Sequence, residues 1–285
     1  MTDNNENQTE SAIQWIQRVL GDYKKHDISI GNMVLHAMGE QRFDVLEILI
    51  GEGLNIHAVA KDSLTLMHNA ALDRNILAMQ WLKKNKVNVN FNTKERGTPL
   101  HNAAFLGIFE SIEWLLDNGA IINIEDSYKQ TPILMTVKGN QLEMMKYLIQ
   151  RKADLNPQNE AGQTPLWYAA HQGKIEFVKY LVEKGADLYL ADVNGFTPMH
   201  IAAEQGQIDI VKYFSEPRIS VNVKTKVGIT PMFMAAAQGQ FETVKLLYDL
   251  GAELDVKTSM GRTAKEMAER NGHQEIADWI SGKLK

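Results

Sequence analysis

The chain of 285 residues predicts an all-α solenoid, a row of helix-turn-helix units of equal length. Three observations predict it. A threonine-opened stretch recurs every 33 residues: TLMHNAA from Thr65, TPLHNAA from Thr98, TPILMTV from Thr131, TPLWYAA from Thr164, TPMHIAA from Thr197, TPMFMAA from Thr230 and TAKEMAE from Thr263. One step back reaches Asn32 of NMVLHAM. A fixed period between about 20 and 50 residues is the mark of stacked repeats. Inside each period, two helical patterns are separated by glycine or a stand-in for it. No insertion disturbs the register from Asn32 to the end.

The elements follow in chain order. Residues 11–25, SAIQWIQRVLGDYKK, carry Ile13, Ile16, Val19, Leu20 and Tyr23 at helical spacing, with Ser11 placed to cap the helix. This reads as a helix covering the open end of the first unit. Within each unit, threonine stands as N-cap and proline follows it. There the missing N–H of proline costs nothing and its φ is already helical. Alanine pairs such as Ala70-Ala71, Ala103-Ala104 and Ala169-Ala170 keep this first helix thin, so neighbouring units can approach closely.

Gly107, Gly173, Gly206, Gly239 and Gly272 end the first helix in a left-handed turn, and Asn140 fills the slot acceptably. Gln41 and Arg74 occupy it at a cost of about 1 kcal/mol each. The second helix has apolar residues at helical spacing, as in Ile175, Val178, Leu181 and Val182. Gly53, Gly119, Gly185 and Gly251 close it, with Lys86 and Lys152 in the same slot elsewhere. An extended segment with a polar tip then leads to the next threonine.

One stretch looks like a break: KYFSEPRISVNVK, residues 212–224. The period runs straight through it, so it is neither linker nor insertion. Pro217 stands next to the helix-ending slot, which Arg218 fills. A proline biases the residue before it away from helical geometry, so the helix is expected to stop near Ser215.

A 33-residue period with T-P-L-H and small residues resembles the ankyrin repeat, and the likeness covers residues 32–285. The resemblance implies an ankyrin-repeat solenoid with β-hairpin-like finger loops and an N-terminal capping helix. It divides the chain into residues 1–9, expected to be disordered, and one domain over 10–285. In that domain 10–31 form the cap and lead-in. Repeats open near 32, 65, 98, 131, 164, 197, 230 and 263, the last serving as the C-terminal cap.

The resemblance also implies a recognition surface made of finger tips and the exposed side of the first helices. Carried over by position, it holds Phe105, Leu106, Tyr128, His171, Phe196, Lys224, Lys226, Ile229, Met260 and Arg262. Phe105, Tyr128 and Phe196 are of the kind that anchors binding hot spots. Along the fingers the charge changes sign. Glu125, Asp126, Glu160 and Asp192 come first, and Lys224, Lys226, Lys257 and Arg262 follow.

Composition excludes several functions. The chain is 44% apolar and 23% charged, with net charge −5, the balance of an ordinary soluble protein. The mild acidity argues against a general nucleic-acid binder. No run of about 18 apolar residues spans a bilayer, and the N-terminus lacks a signal peptide's basic and apolar regions. With no cysteine, disulfides and thiolate chemistry are excluded. His68, His101 and His200 share one repeat position, so stacking holds them roughly 8–10 Å apart or more, too far to share an ion. Each is read as hydrogen-bonded within its own turn and to a neighbouring unit. No nucleophile elbow, phosphate loop or zinc motif is present.

The expectation is a non-enzymatic, cytoplasmic, monomeric module that binds another protein on a concave face, as scaffold, adaptor or inhibitor. It needs no cofactor or metal. Two alternatives stand beside it: a microbial effector that mimics host ankyrin proteins inside the host cytoplasm, and a binder of nucleic acid or another anionic ligand through the basic late fingers.

Overall fold

The structure, a computed structural model, describes residues 11–26, 30–59, 63–216 and 219–284. The expected disorder of residues 1–9 and the Pro217-Arg218 turn lie outside the described residues. The described chain is helical, and it divides into two compact units that meet between Ser127 and Tyr128 in sequence.

Unit 1 holds α1 (Ala12–His26), α2 (Ile30–Gly39), α3 (Phe43–Gly51), α4 (Leu66–Leu72), α5 (Ile76–Lys84), α6 (Pro99–Leu106) and α7 (Phe109–Asp117). Ser11 caps α1 reciprocally with Gln14: each side-chain oxygen accepts from the other residue's backbone N–H, at 3.2 and 3.0 Å. The packing face of α1 differs from the one expected. Ile13 is 63% exposed, whereas Trp15 and Val19 are buried. The Trp15 indole N–H donates to Glu40 Oε2, and its ring lies 5.5 Å from that of His36. A tryptophan with a bonded N–H offers more apolar area than Ile13, which lies two residues back and so on the other side of the helix, and it fixes the rotation of the helix. The side chains of Leu20 and Tyr23 lie outside the described set.

Unit 2 holds α8 (Pro132–Lys138), α9 (Leu142–Gln150), α10 (Pro165–His171), α11 (Ile175–Glu183), α12 (Pro198–Glu204), α13 (Ile208–Ser215), α14 (Pro231–Ala237), α15 (Phe241–Asp249), α16 (Ala264–Arg270) and α17 (Gln274–Lys283). In both units the first helix of a pair packs on the first helix of the next, as α4 on α6 and α10 on α12 on α14 on α16. Second helices pack likewise, as α5 on α7 and α11 on α13 on α15.

Small residues make this possible. The alanine pairs at 70–71, 103–104, 169–170, 202–203 and 235–236 are all buried between first helices. The second helices supply bulk. In α11 the core residues are Phe177, Val178 and Leu181, while Ile175 and Val182 are half-buried. Each fully buried side chain of this size contributes about 1.5–3 kcal/mol.

The helix-ending slots are left-handed. Gly173 has φ +69° and Gly206 φ +69°, and the substitutes Gln41, Arg74 and Asn140 have φ +58°, +58° and +61°. At Gly173 the reason is also steric. A Cβ there would stand 2.5 Å from Gln207 Oε1 of the next pair. The residue after this slot reaches back to the preceding pair. Asn75 donates to the Met38 carbonyl at 2.8 Å, Gln240 to the Glu204 carbonyl at 3.1 Å, and Lys174 to the Val137 carbonyl. These bonds reach carbonyls at the end of the first helix that lack the regular helical partner; those of Met38 and Val137 also accept from the turn N–H groups of Gln41 and Asn140. α13 stops at Ser215, and Glu216 is extended (φ −63°, ψ 130°), as a residue before proline should be.

Candidate partner-binding site

Two kinds of local chemistry shape the surface. The first is the threonine turn. In α4, α6, α12 and α16 the N-cap threonine is held reciprocally by the side chain of the third helical residue. His68 shows how. Nε2 lies 3.1 Å from the Gly97 carbonyl, which can only accept, so Nε2 carries the proton. Nδ1 then accepts from the Thr65 hydroxyl at 2.7 Å and from the Thr65 N–H at 3.2 Å. His200 repeats this with Thr197 at 2.9 Å and donates to the Ile229 carbonyl at 3.0 Å. Burial holds the His200 imidazole below its ordinary pKa, against the opposing pull of the Ile229 carbonyl and the Asp192 charge. In α16 Glu266 replaces histidine. Its carboxyl is held below the usual range first by the Thr263 backbone N–H, with Lys257 and Lys265 adding. Leu134 offers nothing of the kind, and Thr131 Oγ1 is buried without a hydrogen bond.

The histidines are therefore joints between turns. Among the described residues no cluster of three or more histidines and carboxylates converges on a point that would hold a metal. In unit 1 a cavity of about 540 Å³ opens beside α2 and α4. Its polar lining is Gln41 and the turn residues Asp73, Arg74 and Asn75, with no nucleophile and base paired.

The second is the finger turn. Asn159, Asp192, Thr225 and Thr258 each stand five residues before a threonine. Each donates its backbone N–H across the tip to the carbonyl four residues on, at 2.9–3.2 Å. Their side chains brace the same tip. Asp192 Oδ1 accepts from the N–H groups of Asn194 and Phe196, both at 2.9 Å, and Asn159 Oδ1 does so from Ala161 and Gln163. Thr225 and Thr258 hydroxyls accept from Ile229 and Arg262. Neighbouring tips are stitched by backbone. Glu160 N–H donates to the Tyr128 carbonyl, Val193 to Ala161, and Ser259 to Val227. Gly228 is required here, at φ +81°, because a Cβ would meet Lys257 O at 3.1 Å. These are hairpin-like fingers without a strand assignment among the described residues, apart from the isolated bridge of Thr93 with Gly97 in unit 1.

The residues singled out in the sequence fall as follows. In unit 1 Phe105 and Leu106, at the end of α6, are 41% and 52% exposed. In unit 2 Tyr128 is 51% exposed at a finger tip. His171 is exposed at the end of α10, its ring stacked on Trp167 at 5.3 Å. Lys224 and Lys226 are exposed, the former 3.9 Å from Glu253. Met260 is 79% exposed. Phe196, Ile229 and Arg262 are half-buried. Phe196 leans toward its own His200 at 6.0 Å, and the carbonyls of all three close finger bonds.

Two corrections follow for the fingers. Asp192 is not a surface acid: it is 9% exposed and occupied by backbone N–H groups. Val193 (69% exposed) and Val227 stand at the tips and belong with Met260. The signal for the brace was in the sequence. Asn, Asp or Thr three residues before glycine is the pattern of a side chain bonding its own turn.

No described helix is long and apolar enough to cross a membrane. No curated protein matches the chain. The family model for ankyrin repeats (3 copies) matches residues 33–126, 133–225 and 215–283. With its stacked helix pairs, its threonine-opened turns and this match over most of its length, the chain belongs to the ankyrin-repeat family.

Proposed function

We propose that this chain, whose repeats are in general protein–protein interaction modules, is a non-enzymatic scaffold, adaptor or inhibitor that holds a partner protein on the faces formed by its finger tips and first helices. One observation carries the reading. The aromatic and apolar side chains Phe105, Leu106, Tyr128 and Met260 are exposed on segments whose backbone is held by hydrogen bonds of the helix end or the finger tips. A rigid backbone that presents exposed apolar anchors loses little entropy on binding. The division of residues 10–285 into units opening near 32, 65, 98 and onward, with a cap at each end, belongs to the same proposal, as do a monomeric state and a cytoplasmic site of action.

Capture of partners from cell lysate tests it. The variant Phe105→Ala/Tyr128→Ala/Phe196→Ala is expected to lose proteins that the wild type retains at equal loading. Equal capture by both would contradict the assignment of the face.

The basic fingers support a second reading, an anion binder. Nucleic-acid strands stack on aromatic side chains interleaved with cations. The tips at 224–229 and 257–262 contain no aromatic residue, so protein remains the favoured partner.

A further inference from the structure

Residues 224–229, KTKVGI, and 257–262, KTSMGR, each carry two cations and no carboxylate. The earlier tips of unit 2 differ. Residues 158–163 hold the exposed Glu160, and 191–196 hold only the buried Asp192. Among the described residues of the unit, Met260 on the last tip and Val193 on the 191–196 tip are the most exposed large apolar side chains, and the exposed Val227 lies between them in finger order. Adjacency is direct: Gly195 faces Thr225, Gly228 faces Lys257 and Thr258, and Ser259 N–H donates to the Val227 carbonyl at 2.8 Å. Lys226 and Lys257 are exposed beside these apolar tips.

An exposed apolar strip flanked by an excess of one charge marks a contact surface and names the chemistry of what covers it, here with Glu253 near Lys224 and Glu266 near Lys257 as partial counter-charges. We propose that the last three fingers of unit 2 form a docking strip for an acidic peptide segment with apolar side chains. The apolar groups would sit on Val193, Val227 and Met260 and the carboxylates on Lys226 and Lys257. This rests on the protein-binding reading above and gives the partner its chemistry. Each finger is two extended segments wide, so equivalent tips recur about every 10 Å. Three residues of extended peptide cover roughly the same length.

The test uses the full chain and a labelled 18-residue peptide with Leu or Phe at every third position and Glu or Asp between. Anisotropy is read at low and at high salt. Two control peptides replace the acids by Lys or the apolar residues by Ser, and a 20-base-pair DNA duplex is the third control. The acidic apolar peptide is expected to bind, more weakly at high salt. Lys226→Glu/Lys257→Glu should weaken binding at least tenfold, and Val227→Ser/Met260→Ser severalfold. Both variants change exposed side chains, and thermal unfolding confirms that they fold. The proposal is overturned if the peptide does not bind, if both variants bind it as the wild type does, or if the Ser peptide or the DNA binds as tightly. If the peptide fails while the aromatic-face variant still loses its captured partner, the protein-binding reading stands and this one falls.

Discussion

His200 and Asp192 both brace the fingers of unit 2. The imidazole joins one turn to the next finger, and the carboxylate holds that finger's neighbour closed. Because burial keeps the folded His200 pKa below 6.5, the unfolded chain takes up a proton near pH 6.5 that the folded chain refuses. Its contribution to stability is therefore full above pH 6.5 and is lost as pH falls through that value toward the folded pKa. Urea unfolding at pH 7.5 and 5.5 should show a shallower pH dependence for His200→Gln than for the wild type. Identical slopes would contradict this. Asp192→Ala should lower stability by about 1 kcal/mol, since two part-buried N–H groups lose their acceptor. Asp192→Asn should stay near the wild type, because Asn159 makes the same pair of bonds in the preceding finger. An alanine variant as stable as the asparagine one would show that the brace is idle.

At the scale of elements, neighbouring helix pairs within each unit are tied by recurring asparagines. Asn90 accepts from Ile121 N–H and donates to the Gly119 carbonyl, both at 2.9 Å. Asn222 does the same with Glu253 N–H and the Gly251 carbonyl, and Asn156 accepts from Asp187 N–H. The register places Tyr189, exposed, where the next asparagine is due. Tyr189→Asn would offer an acceptor to Ser220 N–H. It is expected to add about 0.5–1.5 kcal/mol, read as a rise of a few degrees in Tm. An unchanged or lower Tm would contradict the clamp.

Much of this was legible in sequence because it is local. The cap at Thr65, the left-handed turn at Arg74 and the stop at Ser215 depend on residues within one turn. The rotation of α1 was not legible. Ile13 and Trp15 both lie on plausible apolar stripes, and only contact with Glu40 and His36 selects the tryptophan. Asp192 was misread for the same reason, since its charge looks free until the finger folds around it.

For the whole molecule, the proposed function rests on hydrogen-bonded finger tips that carry exposed charges. The exposed ion pairs, such as Lys179 with Glu176 and Lys245 with Glu242, contribute little to stability. Exposed cations act instead on association. Lys224→Glu with Lys226→Glu should weaken partner binding and reduce its salt dependence, measured as Kd at two ionic strengths. Affinity that is unchanged at low salt would contradict that role. The central claim is that the partner lies on fingers and first helices. Amide hydrogen exchange of the chain with and without its captured partner tests it most directly. New protection is expected over 191–196, 224–229, 257–262 and the end of α6. Protection confined to the second helices α9, α11 and α15, with the fingers unchanged, would contradict it.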